Sequence, residues 1–188
     1  HPDDVLIEHY IGAMSPAGDW RALVGRLIGE LDRRHGLPEL DPTTLPDDLA
    51  GRRAALAAAL GRAAATGRRT VVVVDGLDDL DDVDGALELA WLPELVPEAV
   101  RLVLTTDAGR PLDAAVARGW PTMVVPPLTP DERRTLTNTV LARYAKALGP
   151  AHLERVTSSP LSGNALFLRV VLDELRQHGD HFTLDAVL

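Results

Sequence analysis

The residues best suited to chemistry lie in one short stretch, Thr70-Val-Val-Val-Val-Asp75-Gly-Leu-Asp78-Asp79-Leu80, continued by Asp81, Asp82 and Asp84. An apolar run here delivers carboxylates at its C-terminal end, and in an open α/β sheet ligands bind beyond the carboxyl ends of the strands. Acids in that position can hold magnesium and polarise a water in phosphoryl transfer. Two carboxylates about 4 Å apart repel by about 4 kcal/mol at an effective dielectric of about 20, so partial burial calls for a cation. Asp81, Asp82 and Asp84 read as solvated acids capping the next helix, because short acidic side chains satisfy the free N–H groups of a helix start. Asp75, Asp78 and Asp79 remain as the candidates.

The elements that must position these acids follow from apolar spacing. Val5 to Ile11 reads as a strand ending at Gly12. From Asp19 the positions Trp20, Leu23, Val24, Leu27, Ile28 and Leu31 form a helical stripe, with Asp19 as N-cap and Gly36 as stop. Pro38 to Pro46 is a loop, and Asp47 to Thr66 an alanine-rich helix. Thr70 to Val74 is too uniformly β-branched for a half-exposed edge and predicts a strand covered on both faces, as in a parallel sheet. Arg101 to Thr106 and Thr122 to Val125 repeat that character, after helix-compatible segments at about Val83 to Leu92 and Leu112 to Arg118. Strands alternating with helices predict an α/β fold.

After Pro126-Pro127 only helices are expected. Thr129-Pro130-Asp131-Glu132 is a capping box opening a helix to about Leu148. A short helix follows from Ala151 to Val156, and a longer one from Gly163 to His178 with Leu166, Val170 and Leu175 on one face. This places a domain boundary between residues 1–126 and 127–188.

The remaining candidates carry less chemistry. His178, Asp180 and His181 have a spacing that could touch a metal, but read as a helix end capped by Gly179. His1, His9, His35 and His152 form no constellation with a serine and an acid, and Trp20, Trp91 and Trp120 sit in apolar contexts that favour packing. The arginine pairs, such as Arg33-Arg34 and Arg68-Arg69, are scattered and read as solvated faces.

The chain has 188 residues with 28 acidic and 19 basic side chains, a net charge of −9. That balance argues against a nucleic-acid partner, which requires a basic face. With 46% hydrophobic residues and no cysteine, the composition is globular and leaves no disulfide or thiolate chemistry, in keeping with a reducing, cytoplasmic setting. No apolar run approaches the roughly 20 residues of a membrane-spanning helix, so no membrane partner is expected. The chain begins with His1 and enters a strand almost at once, which reads as a piece of something longer.

Asp75-Gly76-Leu77-Asp78-Asp79 resembles the Walker B motif of STAND P-loop NTPases of the NACHT type: apolar strand, Asp, small residue, apolar residue, two acids. Leu104-Thr105-Thr106 resembles the sensor strand of that family, and Arg110-Pro111 its sensor arginine. Pro127-Leu128-Thr129 resembles the start of its helical domain, Gly163-Asn164-Ala165-Leu166 its Asn-Pro-Leu segment, and Glu8-His9-Tyr10-Ile11-Gly12 its second strand. The resemblance implies a parallel-sheet P-loop NTPase core followed by an all-helical domain. It implies ATP and magnesium as cofactors, Asp75 for magnesium through water, and Asp78, Asp79, Thr105, Thr106 and Arg110 as catalytic residues. Asn164 would lie toward the nucleotide. The parent would be an ATP-hydrolysing signalling switch that binds ATP or ADP and oligomerises with itself.

One part of the pattern is missing. A phosphate loop needs Gly-x-x-x-x-Gly-Lys-Ser/Thr, and the chain's single lysine, Lys146, is followed by alanine and reads as a solvated helix residue. In the family the strand feeding that loop lies between the sensor strand and the last strand of the core. Its absence would bare apolar faces, at roughly 1.5 to 3 kcal/mol for each unburied Val, Leu or Ile. The alternative reading is a degenerate, non-hydrolysing scaffold or oligomerisation module, and a weaker one a receiver-like phosphoacceptor with Asp75 as the acid.

Overall fold

Thr70–Asp75 forms β2, the middle strand of a three-stranded, all-parallel sheet in the order β1-β2-β3. The computed structural model describes residues 4–12 and 18–178. β1 is Val5–Tyr10 and β3 is Val100–Leu104, and the register sets Val5 beside Thr70 beside Val100, with Tyr10 beside Asp75. Between β1 and β2 come α1 (Trp20–His35) and α2 (Leu49–Ala65), and α3 (Arg110–Ala117) follows β3. α4 (Pro130–Ala142), α5 (Pro150–Ser158) and α6 (Ala165–His178) complete the six α-helices among the described residues. The chain divides into two compact units, His1–Thr122 and Met123–Leu188.

In the first unit the stripe on α1 does what its spacing predicts. Asp19 accepts from the Arg21 N–H at 2.8 Å, and Gly36 ends the helix in the left-handed region at φ 66°, which a residue without Cβ adopts without strain. Trp20, Leu23, Val24, Leu27, Ile28 and Leu31 are buried with Leu56, Ala59, Leu60 and Ala63 of α2 against Val5, Ile7, Val72, Val74 and Val100 of the sheet. Asp32 is fully buried inside this layer and pairs with Arg62 of α2 at 2.7 Å. The other face of the sheet carries Leu6 and Tyr10, each 49% exposed, Val103 at 47%, and the half-buried Val71 and Val73. Those side chains stay open or half-open, unlike the row beneath α1 and α2. Within the described residues of the first unit, α1 and α2 cover one row of a sheet type that is ordinarily covered on both faces.

Two expected elements are absent. The segment 83–92 is a succession of turns rather than a helix, with Asp84 at φ 51°, Gly85 at 74° and Leu89 at 56° in the left-handed region. Tertiary bonds hold it there: Arg118 donates to the Leu89 carbonyl at 2.6 Å, and the Trp91 indole N–H to that of Ala86 at 3.2 Å. Leu89 and Trp91 are both fully buried, so packing overrides the helical pattern. Thr122 to Val125 forms no strand either. Met123, Val124 and Val125 are exposed, between Pro121 and Pro126-Pro127, which lack the N–H groups a ladder needs.

In the second unit Thr129 and Glu132 make the reciprocal capping box at the start of α4. That helix ends at Ala142 instead of Leu148, and Ala145 takes a left-handed turn at φ 54°. Lys146 consequently lies outside any helix, partly buried, donating to the Arg176 carbonyl at 2.6 Å rather than standing in solvent. α6 turns Leu168, Leu172 and Leu175 into a core with Leu141 and Val156, while Leu166 and Val170, expected inside, are exposed. No described helix is long and apolar enough to cross a membrane.

Candidate functional site

The carboxyl end of the sheet gathers most of the candidate residues. Asp75 is the last residue of β2, and Leu77–Asp79 makes a single 3-10 turn directly after it, entered through Gly76 at φ 82°. Two backbone bonds pin this corner. The Ile11 N–H donates to the Asp75 carbonyl at 2.9 Å, and the Leu77 N–H to that of Thr105 at 2.9 Å. The ends of all three strands are thereby joined around the acids.

Side chains complete the arrangement. The Thr105 hydroxyl donates to Asp75 Oδ1 and accepts from the Gly76 N–H at 3.0 Å, so it sets the rotation of the carboxylate. Asp78 accepts from the Asp107 N–H at 3.0 Å, and that bond holds its carboxyl below the usual carboxylate range. The Thr106 hydroxyl donates to the Asp107 carbonyl at 3.0 Å, so it shapes the loop that carries this amide. Asp79 turns toward the neighbouring loop: a Cβ built on Gly12 or on Gly76 would stand 3.3 Å from its Oδ2.

Arg110, the first residue of α3, is engaged elsewhere. Its guanidinium forms two bonds to Asp82, at 2.7 and 2.8 Å, and its Nε donates to Glu88 at 2.6 Å. These bonds raise its pKa and lower that of Asp82. Asp82 is thus an ion-pair partner rather than a helix cap, and Asp84 pairs likewise with Arg21. Asp81 packs on the preceding loop, its N–H donating to the Gly18 carbonyl at 2.9 Å. Asn164, in the second unit, accepts from the Leu166 and Phe167 N–H groups at 2.9 and 3.1 Å, which makes it the cap of α6.

Sequence reasoning passed over Asp107, whose contribution is a backbone N–H and carries no side-chain signal, and Glu88, hidden in a segment read as helix. Among the described residues no cluster of three or more His, Asp or Glu side chains is placed to hold a metal ion by itself. Asp180 and His181, read as possible metal contacts, lie outside the described residues. The acids can act chemically as one fixed hard-oxygen donor, Asp75, flanked by two further carboxylates.

No protein-family model matches the chain. It is 23% identical, over 219 aligned positions and 98% of its length, to a TPR repeat-containing protein of Dictyostelium discoideum, of which it spans 13%. Against telomerase protein component 1 of Rattus norvegicus it is 28% identical over 160 positions, 82% of this chain and 6% of that protein. Against NACHT domain- and WD repeat-containing protein 1 of Homo sapiens it is 29% identical over 113 positions, 57% of this chain and 7% of that protein. The chain thus corresponds to a small part of each of these relatives, and its likeness to a NACHT-bearing protein covers little more than half of it.

Proposed function

We propose that this chain is the magnesium and sensor portion of a STAND/NACHT-type NTPase module within a longer ATP-dependent signalling protein. The observation that carries the reading is the bond from Thr105, at the end of β3, to Asp75, at the end of β2. It fixes a carboxylate at the ligand-binding end of a parallel sheet, where hydrolases of phosphoanhydrides place one. The partial likeness to a human NACHT-bearing protein points the same way.

In this reading Asp75 holds magnesium through water, in keeping with a cation that retains several waters and takes one or two carboxylates. Thr105 keeps that carboxylate in one orientation. Asp78, ionised and tied to the Asp107 amide, and Asp79 share the orienting of water near the phosphates. ATP or ADP would be the ligand, self-assembly the output, and a glycine-lysine phosphate loop would come from outside these residues.

A second reading, a non-hydrolysing scaffold on the same fold, is favoured by two observations. The chain has no Gly-x-x-x-x-Gly-Lys sequence, and Arg110 is bound by Asp82 and Glu88. The names of the relatives, a TPR repeat protein, a telomerase component and a NACHT and WD repeat protein, suit an assembly role as well.

Calorimetry with magnesium and ATP separates the two, on this chain and on one extended upstream by about 50 residues, enough for a strand, loop and helix. Magnesium-dependent binding in the extended chain alone, lost in Asp75→Ala, is the expected result. No binding in either would overturn the enzyme reading in favour of the scaffold.

A further inference from the structure

A groove of about 270 Å³ lies on the outer face of α1, lined also by Glu39, Leu40 and Pro42. Its volume falls just below the roughly 300 Å³ at which pockets for drug-sized ligands begin. Ala22, Gly25 and Gly29 make its floor, and Arg21, Arg26, Arg33 and Arg52 stand around it with Glu30. Four of the lining side chains are arginines and two are glutamates, and Asp84 and Asp47 pair with Arg21 and Arg52.

Arg52 gives the groove its chemistry. Its side chain is 10% exposed, yet its close partners are two neutral carbonyls, Pro46 at 2.7 Å and Arg21 at 2.7 Å. Among the described residues its ion-pair partner is Asp47, 3.6 Å away, whose side chain is 99% exposed and so binds it weakly. A buried cation calls for a close counter-charge. Arg21 and Arg33, by contrast, already have theirs in Asp84 and in Glu30 and Glu39. The groove end at Arg52 also lies beside the first turn of α1, where the helix dipole favours an anion.

The floor is the second observation. A Cβ at Gly29 would meet nothing within 4 Å, and one at Gly25 only Leu45 Cδ1 at 3.7 Å, an ordinary contact. Packing inside the chain therefore does not require glycine at either position, although each glycine in a helix interior is unfavourable relative to alanine. What the two glycines do provide is a smooth apolar bed beside Leu40 and Pro42.

We infer that this groove binds a small amphiphilic anion, its carboxylate or phosphate head against Arg52 and its apolar body on Gly25 and Gly29. The test is an amide-shift titration of the 188-residue chain by NMR with phenyl phosphate, with 4-phenylbutyrate, and with neutral benzyl alcohol. Saturable shifts at Gly25, Gly29 and Leu40 are expected with an anion and not with the alcohol, the tighter anion naming the head group. Arg52→Met should weaken binding at least about tenfold, the order expected for one lost charged contact. Arg52 also ties the Pro46 loop to the first turn of α1, so Gly29→Leu is the second variant: it fills the floor, improves helix propensity, and should abolish the shifts with the fold intact. Shifts that stay linear with concentration, equal binding of benzyl alcohol, or binding that survives Gly29→Leu would overturn the inference.

Discussion

On one side of the sheet Val5, Ile7, Val72, Val74 and Val100 are buried under α1 and α2; on the other, Leu6, Val71, Val73 and Val103 stand open or half-open. The apolar types are shared, but the open row also carries Glu8, Tyr10, Asp75 and Arg101 while the covered row carries no acid, lysine or arginine, so charge marks the row left uncovered. The register alternates the two rows strictly, and both helices of the connection from β1 to β2 pack on the same row. The open row is the one that ends in Tyr10 and Asp75, so the acid corner adjoins the uncovered face.

The largest expected contrast is in truncation. Leu31→Ala or Leu56→Ala, both under the covered face, should lower the unfolding free energy by about 2–5 kcal/mol in urea titrations. Leu6→Ala or Val103→Ala should cost about 1 kcal/mol or less, since half of each side chain already meets water. Equal losses on the two faces would show that the open row is packed in solution. Next comes the fastening of the cover. Asp32→Asn strands Arg62, and with Arg62 itself 37% exposed the loss should sit at the low end for a broken buried pair, about 3 kcal/mol. A loss near zero would mean the two helices are held by apolar packing alone.

A weaker fastening responds to acid. His35 bridges Thr66 at 2.8 Å and Thr70 at 2.9 Å, tying the end of α1 to the start of β2. Because the Thr66 hydroxyl donates to the Ala63 carbonyl, His35 Nδ1 must carry the proton and Nε2 must accept from Thr70. Burial, then the Arg68 charge, lowers the pKa of His35 from 6.5, so the folded chain favours the neutral ring. Its stabilisation is present above pH 6.5 and is lost as the pH falls from there through the lower folded value. The loss should be about one hydrogen bond's worth, ~1 kcal/mol, and His35→Gln should remove this part of the pH dependence in melts between pH 7 and about 5. Smallest of all, Val103→Lys on the open face should change stability by no more than about 0.5 kcal/mol while reducing self-association in sedimentation runs, as lysine does at sheet edges.

Elements governed by local signals were legible in the sequence. The Asp19 cap, the Gly36 stop and the Thr129–Glu132 box act within a few residues, and the structure has all three. The strand ending in Asp75 was legible because its apolar run has no competing helical spacing. Elements decided by distant partners were not. Residues 83–92 have a helical pattern, but Arg118 and the burial of Leu89 and Trp91 select turns. Thr122 to Val125 has strand composition and no described neighbour to pair with. At the site, the acids and Thr105 could be read as types, whereas the bond between Asp75 and Thr105, the Asp107 amide and the ion pairs of Arg110 arise only when β2 and β3 are side by side.

The close seat of Asp79 between two turns limits how this corner can drift over generations. Its carboxylate occupies the space that a side chain on Gly12 or Gly76 would need, and both glycines hold left-handed backbones. Change at Gly12 or Gly76 is therefore held back first by their left-handed backbones, which a residue with a Cβ adopts only with strain, and only second by the exposed Asp79 carboxylate, which can swing aside.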